Sequence, residues 1–256
     1  MPKSLSAELR AGDEWLRRRK VDILRKCRSL SIVSLSPDDD AFFSSSMAFA
    51  GRVHRVIPNS IDDHLFVRNG GDLIRREFGI SSSEKVLVFV AQHLSEKRKG
   101  FHHLVEALSR LKIDGVTVLC VGHPPIPETA TCAKFIPVGF VEDAARLAKI
   151  FSASDLFVSP SMAETFGKTT TEALACGVPV VTYPNSGAKF IVGPEDGILC
   201  DDFTPLALGH AIQMALSRSF DREGLRRRVL SRFSRDRVAT AYLELYREIL
   251  DQRQAK

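Results

Sequence analysis

Two short runs, Val86–Val90 (VLVFV) and Val116–Val121 (VTVLCV), carry apolar or β-branched residues at consecutive positions. A strand with one face in water alternates polar and apolar side chains, so a strand without alternation is buried on both faces. That requires a sheet with helices on each side. The surrounding chain supplies them in order. A helical pattern covers Phe101–Lys112, with Leu104, Leu108 and Leu111 on one face, and Phe135–Val138 reads as a further strand. Then come a helix over Asp143–Phe151, a strand at Leu156–Ser159, a helix over Thr169–Cys176 and a strand at Val178–Tyr183. Such alternation makes βαβ units. The expected fold class is α/β, a doubly wound, Rossmann-like parallel sheet whose ligands bind beyond the carboxyl ends of its strands.

The first 57 residues fit this scheme less well. They offer a basic helix, a strand at Ser31–Leu35, a helix after Asp38-Asp39-Asp40 and a strand at Arg52–Ile57. Two strands do not make a sheet domain of usual size. Residues 1–57 are therefore expected to be the remnant of another domain, residues 58–219 the ligand-binding domain, and residues 220–256 a terminal helical segment with Tyr242, Leu245, Tyr246 and Ile249 on its apolar side.

Composition narrows the class. With 256 residues, 44% of them hydrophobic, a real core can be buried. No apolar run approaches the roughly 20 residues that span a bilayer, and the first 20 lack a signal-peptide pattern, so the expected address is the cytosol. The five cysteines (Cys27, Cys120, Cys132, Cys176 and Cys200) lie far apart with no metal spacing and read as buried apolar residues. The net charge of +5 gathers in Arg17–Arg28 and Arg222–Arg237, both helical in pattern. Solvated basic helix faces are the simplest reading. Peripheral contact with an anionic membrane surface is the alternative, and nucleic acid is disfavoured because aromatic interleaving and a nucleic-acid motif are missing.

The chemistry concentrates in Ser159–Val181, a strand end, a turn containing glycine and a helix leading to another strand. A helix start presents free backbone N–H groups and a positive dipole end, which suit phosphate. Phe166, Gly167 and Lys168 are placed to offer those amides. Glu164 and Glu172 bracket the turn, and carboxylates accept paired hydrogen bonds from vicinal diols. Gly167-Lys168-Thr169 imitates the end of a P-loop, but Met162 stands where its first glycine is required. His102-His103 and Asp38-Asp39-Asp40 lack partners at ligand spacing and read as surface residues.

This stretch, with EALACGVPVV after it, resembles the E-x7-E segment of the retaining GT-B glycosyltransferases of family 4, the group 1 glycosyl transferases. Four other segments resemble that family in the same order: RVHRVIPNSIDDHLF, KRKGFHHLVEAL, FSASDLFVSPS and FSRDRVATAYLELYREIL. The resemblance covers residues 15 to about 251 and implies transfer of a sugar from a UDP- or GDP-linked donor with retention. It also implies that Glu164 faces the donor sugar, Glu172 the ribose diol, and Lys99 the diphosphate leaving group. No metal or other cofactor is expected, since Lys99 and helix amides serve the phosphates.

The family usually carries Gly-Arg after its first strand, where this chain has Ala91-Gln92-His93. Arg98 is the candidate substitute for the missing arginine, with a solvated Lys97–Lys99 loop as the alternative. His93 is either a phosphate contact or a structural residue. PNSGAKFIVGPEDG (Pro184–Gly197) resembles a shortened loop that closes over the sugar, with Gly187 admitting a ligand or only making a turn. Nothing before residue 60 matches the acceptor-side glycine-rich loop or histidine. A missing or separately encoded acceptor domain is therefore expected, and a nucleotide-sugar binder without turnover is the alternative.

Overall fold

The computed structural model describes residues 3–27, 30–110, 115–124 and 133–254, so Arg28, Leu111, Lys112 and Cys132 lie outside the described residues. The chain divides between Ile57 and Pro58 into two compact units. The first contains α1 (Lys3–Lys26), β1 (Ser31–Ser34), α2 (Pro37–Ser44) and β2 (Val53–Val56). β1 and β2 pair in parallel from Ser31↔Val53 to Ser34↔Val56. Ser36 accepts from the Asp39 amide and Pro37 occupies the first turn, which explains where α2 begins. Arg17–Lys20, Arg25 and Lys26 are exposed on α1, together with Trp15, Leu16 and Ile23.

The second unit is built on one six-stranded parallel sheet. In chain order it comprises α3 (Gly71–Glu77), β3 (Lys85–His93), α4 (Phe101–Arg110), β4 (Val116–His123), β5 (Lys134–Gly139), α5 (Ala144–Ala153) and β6 (Leu156–Ser159). It continues through α6 (Lys168–Ala175), β7 (Val180–Thr182), α7 (Ser186–Ile191), β8 (Gly197–Leu199), α8 (Pro205–Ser217), α9 (Arg222–Phe233) and α10 (Arg235–Gln254). The strand order is β5-β4-β3-β6-β7-β8. On β3 and β4 the burial is two-sided, as continuous apolar runs require: Val86, Leu87, Val88, Phe89, Val118, Leu119 and Cys120 are all buried. Leu87 and Phe89 join the core under α4 and α8, whose contributions include Leu104, Leu108, Leu208 and Ile212.

The expected doubly wound parallel sheet is present. β7 is shorter than the Val178–Tyr183 run suggested, because Pro179 has no N–H for the ladder and offers only its carbonyl, to Phe157 N at 2.9 Å. The short α7 and β8 were not anticipated. Nor was α8, although Thr204 capping the Ala207 amide, Pro205 in the first turn, and Leu208, Ala211, Ile212 and Ala215 at helical spacing mark it.

Several surface expectations are overturned. Cys27 is exposed, while Cys120, Cys176 and Cys200 are buried as expected, with burial pushing each buried thiol up to about 12. His103 is half-buried, with Nδ1 2.6 Å from the Tyr183 hydroxyl. The basic face of α9 is not simply solvated. Arg226 donates to the carbonyls of Asp63, Phe66 and Ala175, Arg228 to Asp196 and the Glu195 carbonyl, and Arg232 to the carbonyls of Phe190 and Ile191. A guanidinium has five donors in a planar fork, so it can cap the unpaired last carbonyls of α6 and α7 where a solvated lysine would not.

β3 turns into α4 through a single 3₁₀ turn at Lys97–Lys99 that ends on Gly100, at φ +74°. A Cβ on Gly100 would lie 2.1 Å from the Pro160 carbonyl oxygen. Gly100→Ala should therefore lower unfolding free energy by roughly 1–3 kcal/mol, combining left-handed strain with a backbone clash. Urea unfolding followed by circular dichroism measures it, and wild-type stability in the variant would refute the close approach.

Candidate functional site

Strand order reverses between β3 and β6, since β3 leads to β4 on one side and the chain returns as β6 on the other. A sheet of this kind opens a crevice at that point, at the carboxyl ends of the two strands. The loops that leave β3 and β6 carry the KRKG and SMAE sequences. They are stitched together: Met162 N donates to Arg98 O at 2.8 Å, Ser161 Oγ to the same carbonyl at 3.3 Å, and Arg98 Nη1 to Ala163 O at 2.9 Å. A third segment props them from below. Buried Asn185 donates through Nδ2 to Ser161 O at 2.9 Å while its Oδ1 caps α7, and Gly187 N donates to Glu164 O at 3.0 Å.

These staples bring Lys99 and Glu164 together across the crevice, with Nζ and Oε1 2.5 Å apart and about a fifth to a quarter of each side chain exposed. Ser161 Oγ donates to the same carboxylate oxygen at 2.9 Å. Thus one oxygen of Glu164 is held by two donors, and its Oε2 has no hydrogen-bond partner among the described residues. Beside the pair opens a cleft of about 540 Å³. Val90, Ala91, Val121 and Phe140 give it an apolar side, and Arg98, Lys99 and Thr169 a polar one.

Thr169 lies in the first turn of α6, which begins after Gly167 at φ +95°. The first amides of the helix have no intrahelical carbonyl to bind, and its positive end lies there. Glu172 is three residues beyond Thr169, on the same helical face. It is buried, 9% exposed, and its carboxylate makes no hydrogen bond to a described residue. Burial pushes its pKa up from the usual glutamate value, and the nearby Lys168 charge opposes this only in part. A buried carboxylate without donors leaves hydrogen-bonding capacity unfilled.

Other candidates fall differently. Phe166 is in the core, 5.4 Å ring to ring from Phe233, so only its backbone could serve a ligand. Lys168 is exposed at the helix start. Arg98 is not a free cation for a diphosphate: its guanidinium holds Glu96 Oε1 at 2.7 Å as well as Ala163 O, and so fixes the acidic loop. Gly187 permits close approach, but of the protein's own backbone, since a Cβ there would lie 2.3 Å from Phe166 O. The segment expected to be a closing loop carries helix α7. The His93 ring stacks on His123, centroids 5.2 Å apart, and His123 in turn on Phe140 at 4.5 Å, so its contacts lie along the strand ends. Among the described residues no group of three metal-ligating side chains occurs. Ser161, Asn185, Thr169 and Phe140 were not picked out from the sequence. The polar side chain two residues past a strand end and the asparagine before Ser-Gly were the available signals.

A sequence model of the glycosyl transferases group 1 matches residues 84–218, more than half of the chain. The chain belongs to this family. N-acetyl-alpha-D-glucosaminyl L-malate synthase of Bacillus anthracis is 27% identical over 210 residues, covering 77% of this chain and 54% of that enzyme. Among solved structures, sucrose-phosphate synthase from Thermosynechococcus elongatus superposes with a TM-score of 0.71 at 26% identity, covering 87% of this chain and 59% of that one. HepE of Anabaena, crystallised with UDP-glucose, superposes with a TM-score of 0.70 at 21% identity, over 93% of this chain and 67% of that one. The chain thus spans about half to two thirds of these three proteins. The family resemblance and the GT-B type of fold read from the five sequence segments are borne out.

Glu172 gives this glycosyltransferase-family domain a pH signature. Its folded pKa is raised, so the native state holds the proton more tightly than the unfolded chain. Stability is then full below the unfolded value of 4.5 and falls as pH rises through the higher folded value. Glu172→Gln removes this effect. The variant should melt above wild type at neutral pH, with the difference vanishing near pH 4. A difference independent of pH would place the carboxylate in water.

Proposed function

We propose that residues 58–256 bind a nucleoside diphosphate sugar and form the donor-side half of a retaining glycosyltransferase. The observation that carries this is the Lys99–Glu164 pair at the strand-order reversal, beside the open helix start of α6 and the undonated Glu172 carboxylate. The solved structures of HepE with UDP and with UDP-glucose support a donor of this class. In this reading the diphosphate lies against the Lys99 ammonium and the first amides of α6. As the bond from anomeric carbon to diphosphate lengthens, negative charge accumulates on the leaving oxygen, where a fixed cation and helix dipole stabilise it. Glu164 accepts from sugar hydroxyls through the oxygen that Ser161 and Lys99 leave open. Glu172 accepts from the ribose diol. An acceptor-side domain supplies the acceptor and closes the cleft against water.

Lys99→Ala should weaken UDP or GDP by on the order of 1.5–3 kcal/mol while sparing the free nucleoside, because a charge-assisted phosphate contact is lost. The loss should shrink in high salt. Isothermal calorimetry reads it, and equal losses for nucleoside and diphosphate would remove Lys99 from the phosphate site. Affinity should survive EDTA. A requirement for Mn²⁺ or Mg²⁺ would overturn the metal-free phosphate site.

The two glutamates should separate by ligand. Glu172→Ala should weaken plain nucleotide and sugar nucleotide alike, by roughly 0.5–1.5 kcal/mol for a lost hydroxyl hydrogen bond, and Glu164→Ala only the sugar conjugate. If Glu164→Ala weakens plain nucleotide as strongly, the assignment of one carboxylate to each end of the donor fails. Diphosphate release with an acceptor present distinguishes transfer from binding alone.

A further inference from the structure

The amino ends of the strands, opposite the donor cleft, hold a second polar cavity. Lys85, Asp155 and Pro179 stand where β3, β6 and β7 begin, and the α8–α9 connection, with Arg218, Ser219 and Phe220, closes over them around about 260 Å³. Its charges do not balance. Asp155 is the carboxylate in the lining, and its Oδ2 already accepts from Arg75 Nη2 and the Val86 amide, each at 2.9 Å. Its other oxygen is 3.4 Å from Arg222 Nη2. The remaining contacts of Arg222, to Gly177 O and Ser154 O, are 3.3 and 3.4 Å, well beyond the roughly 2.7–2.9 Å of a good charge-assisted bond.

Two solvent-exposed donors in the lining have no protein partner. The Lys85 ammonium and the Ser219 hydroxyl make no hydrogen bond or ion pair with a described residue. Arg218 lies over the Phe220 ring at 4.8 Å, donates to Pro194 O at 2.8 Å and shares exposed Glu195 at 3.3 Å. Burial, and then the charges of Arg68 and Arg75, push the pKa of Arg222 below its ordinary value against the pull of Asp155. Cations so crowded, with loose bonds and idle donors around a cavity, leave room for an anion to complete the arrangement.

We propose that this cavity binds a small tetrahedral oxyanion, phosphate or a phosphomonoester, held by Lys85, Arg222 and Ser219 with Arg218 at its rim. The cavity is larger than phosphate alone and admits either a hydrated ion or a short esterified group. Occupancy ties the start of β3 to the α8–α9 connection and relieves the repulsion at Arg222. The site stands at the opposite end of the strands from Lys99 and Glu164, and its case is independent of the donor reading.

The test is thermal unfolding of the full chain titrated with sodium phosphate, and separately with glycerol 2-phosphate, against sodium chloride of matched ionic strength. The expected result is a saturable rise in Tm with at least one of the two. Lys85→Ala should raise the half-saturating concentration roughly fivefold or more, and Lys85→Arg should restore it. Lys99→Ala, which disables the other anion site, should leave the response intact. A rise linear in concentration, one matched by chloride, one insensitive to Lys85→Ala or one abolished by Lys99→Ala would overturn the proposal. Nucleotide binding can fail without changing any of these outcomes.

Discussion

The contact on which the candidate site depends is the ion pair between Lys99 and Glu164. Neither residue is buried enough to make it a large source of stability. An accessible pair contributes on the order of 0–1 kcal/mol, and a partly buried pair carries a desolvation cost against its Coulomb gain. Its importance is geometric. The pair spans the two loops at the strand-order reversal, and every staple around it acts on one of its two ends. Gly100 allows the first loop to lie on Pro160, Arg98 and Ser161 tie the loops to each other, and Asn185 holds the second from beneath. Only with those backbone contacts made does a 2.5 Å ammonium–carboxylate distance result.

The pair also bears on ligand exchange. Without a ligand, Lys99 and Glu164 compensate each other, so the crevice carries less net field than two separate charges would. A polyanion that takes up Lys99 leaves Glu164 with Ser161 alone, and hydroxyl donors on the same ligand can restore its bonding. A ligand with negative charge but no hydroxyls compensates one end only. In the proposed reading this coupling favours one bipartite ligand over either a simple anion or a neutral sugar.

What the sequence made legible follows from which interactions are local. The sheet and its order of helices were readable because VLVFV and VTVLCV are buried on both faces, and α4 carries periodic apolar positions. The two glutamates stand out as candidates because they bracket one short turn, and Lys99 because its segment resembles the family's; the structure brings Lys99 and Glu164 together. The long-range staples were not legible. Arg98 donates to a residue 65 positions away and Asn185 to one 24 away, and no local pattern separates such side chains from solvated ones. In sequence Arg98 reads either as a ligand contact or as part of a solvated loop, and its bonds to Ala163 and Glu96 are visible only in the fold. Gly187 leaves two readings open in sequence for the same reason, because a glycine shows that something approaches closely but not whether it is a ligand or the chain's own carbonyl.

The arginines of α9 carry the same lesson to the rest of the unit. In sequence Arg222, Arg226, Arg228 and Arg232 look like one basic face, yet Arg222 reaches carbonyls just past α5 and α6, Arg226 the end of α6, Arg228 the turn before β8 and Arg232 the end of α7. α6 and α7 deliver their amino ends to the candidate site and so leave their carboxyl ends, with unpaired carbonyls and negative partial charge, on the far side. A helix that crosses that side therefore needs donors, and arginine supplies several per residue. Basic charge on α9 is thus a structural consequence of pointing helix starts at the crevice: the polarity that favours an anion at one end of the sheet calls for cations at the other. Around Arg222 the formal charge does not balance, because Arg75 and Arg222 share the single carboxylate of Asp155.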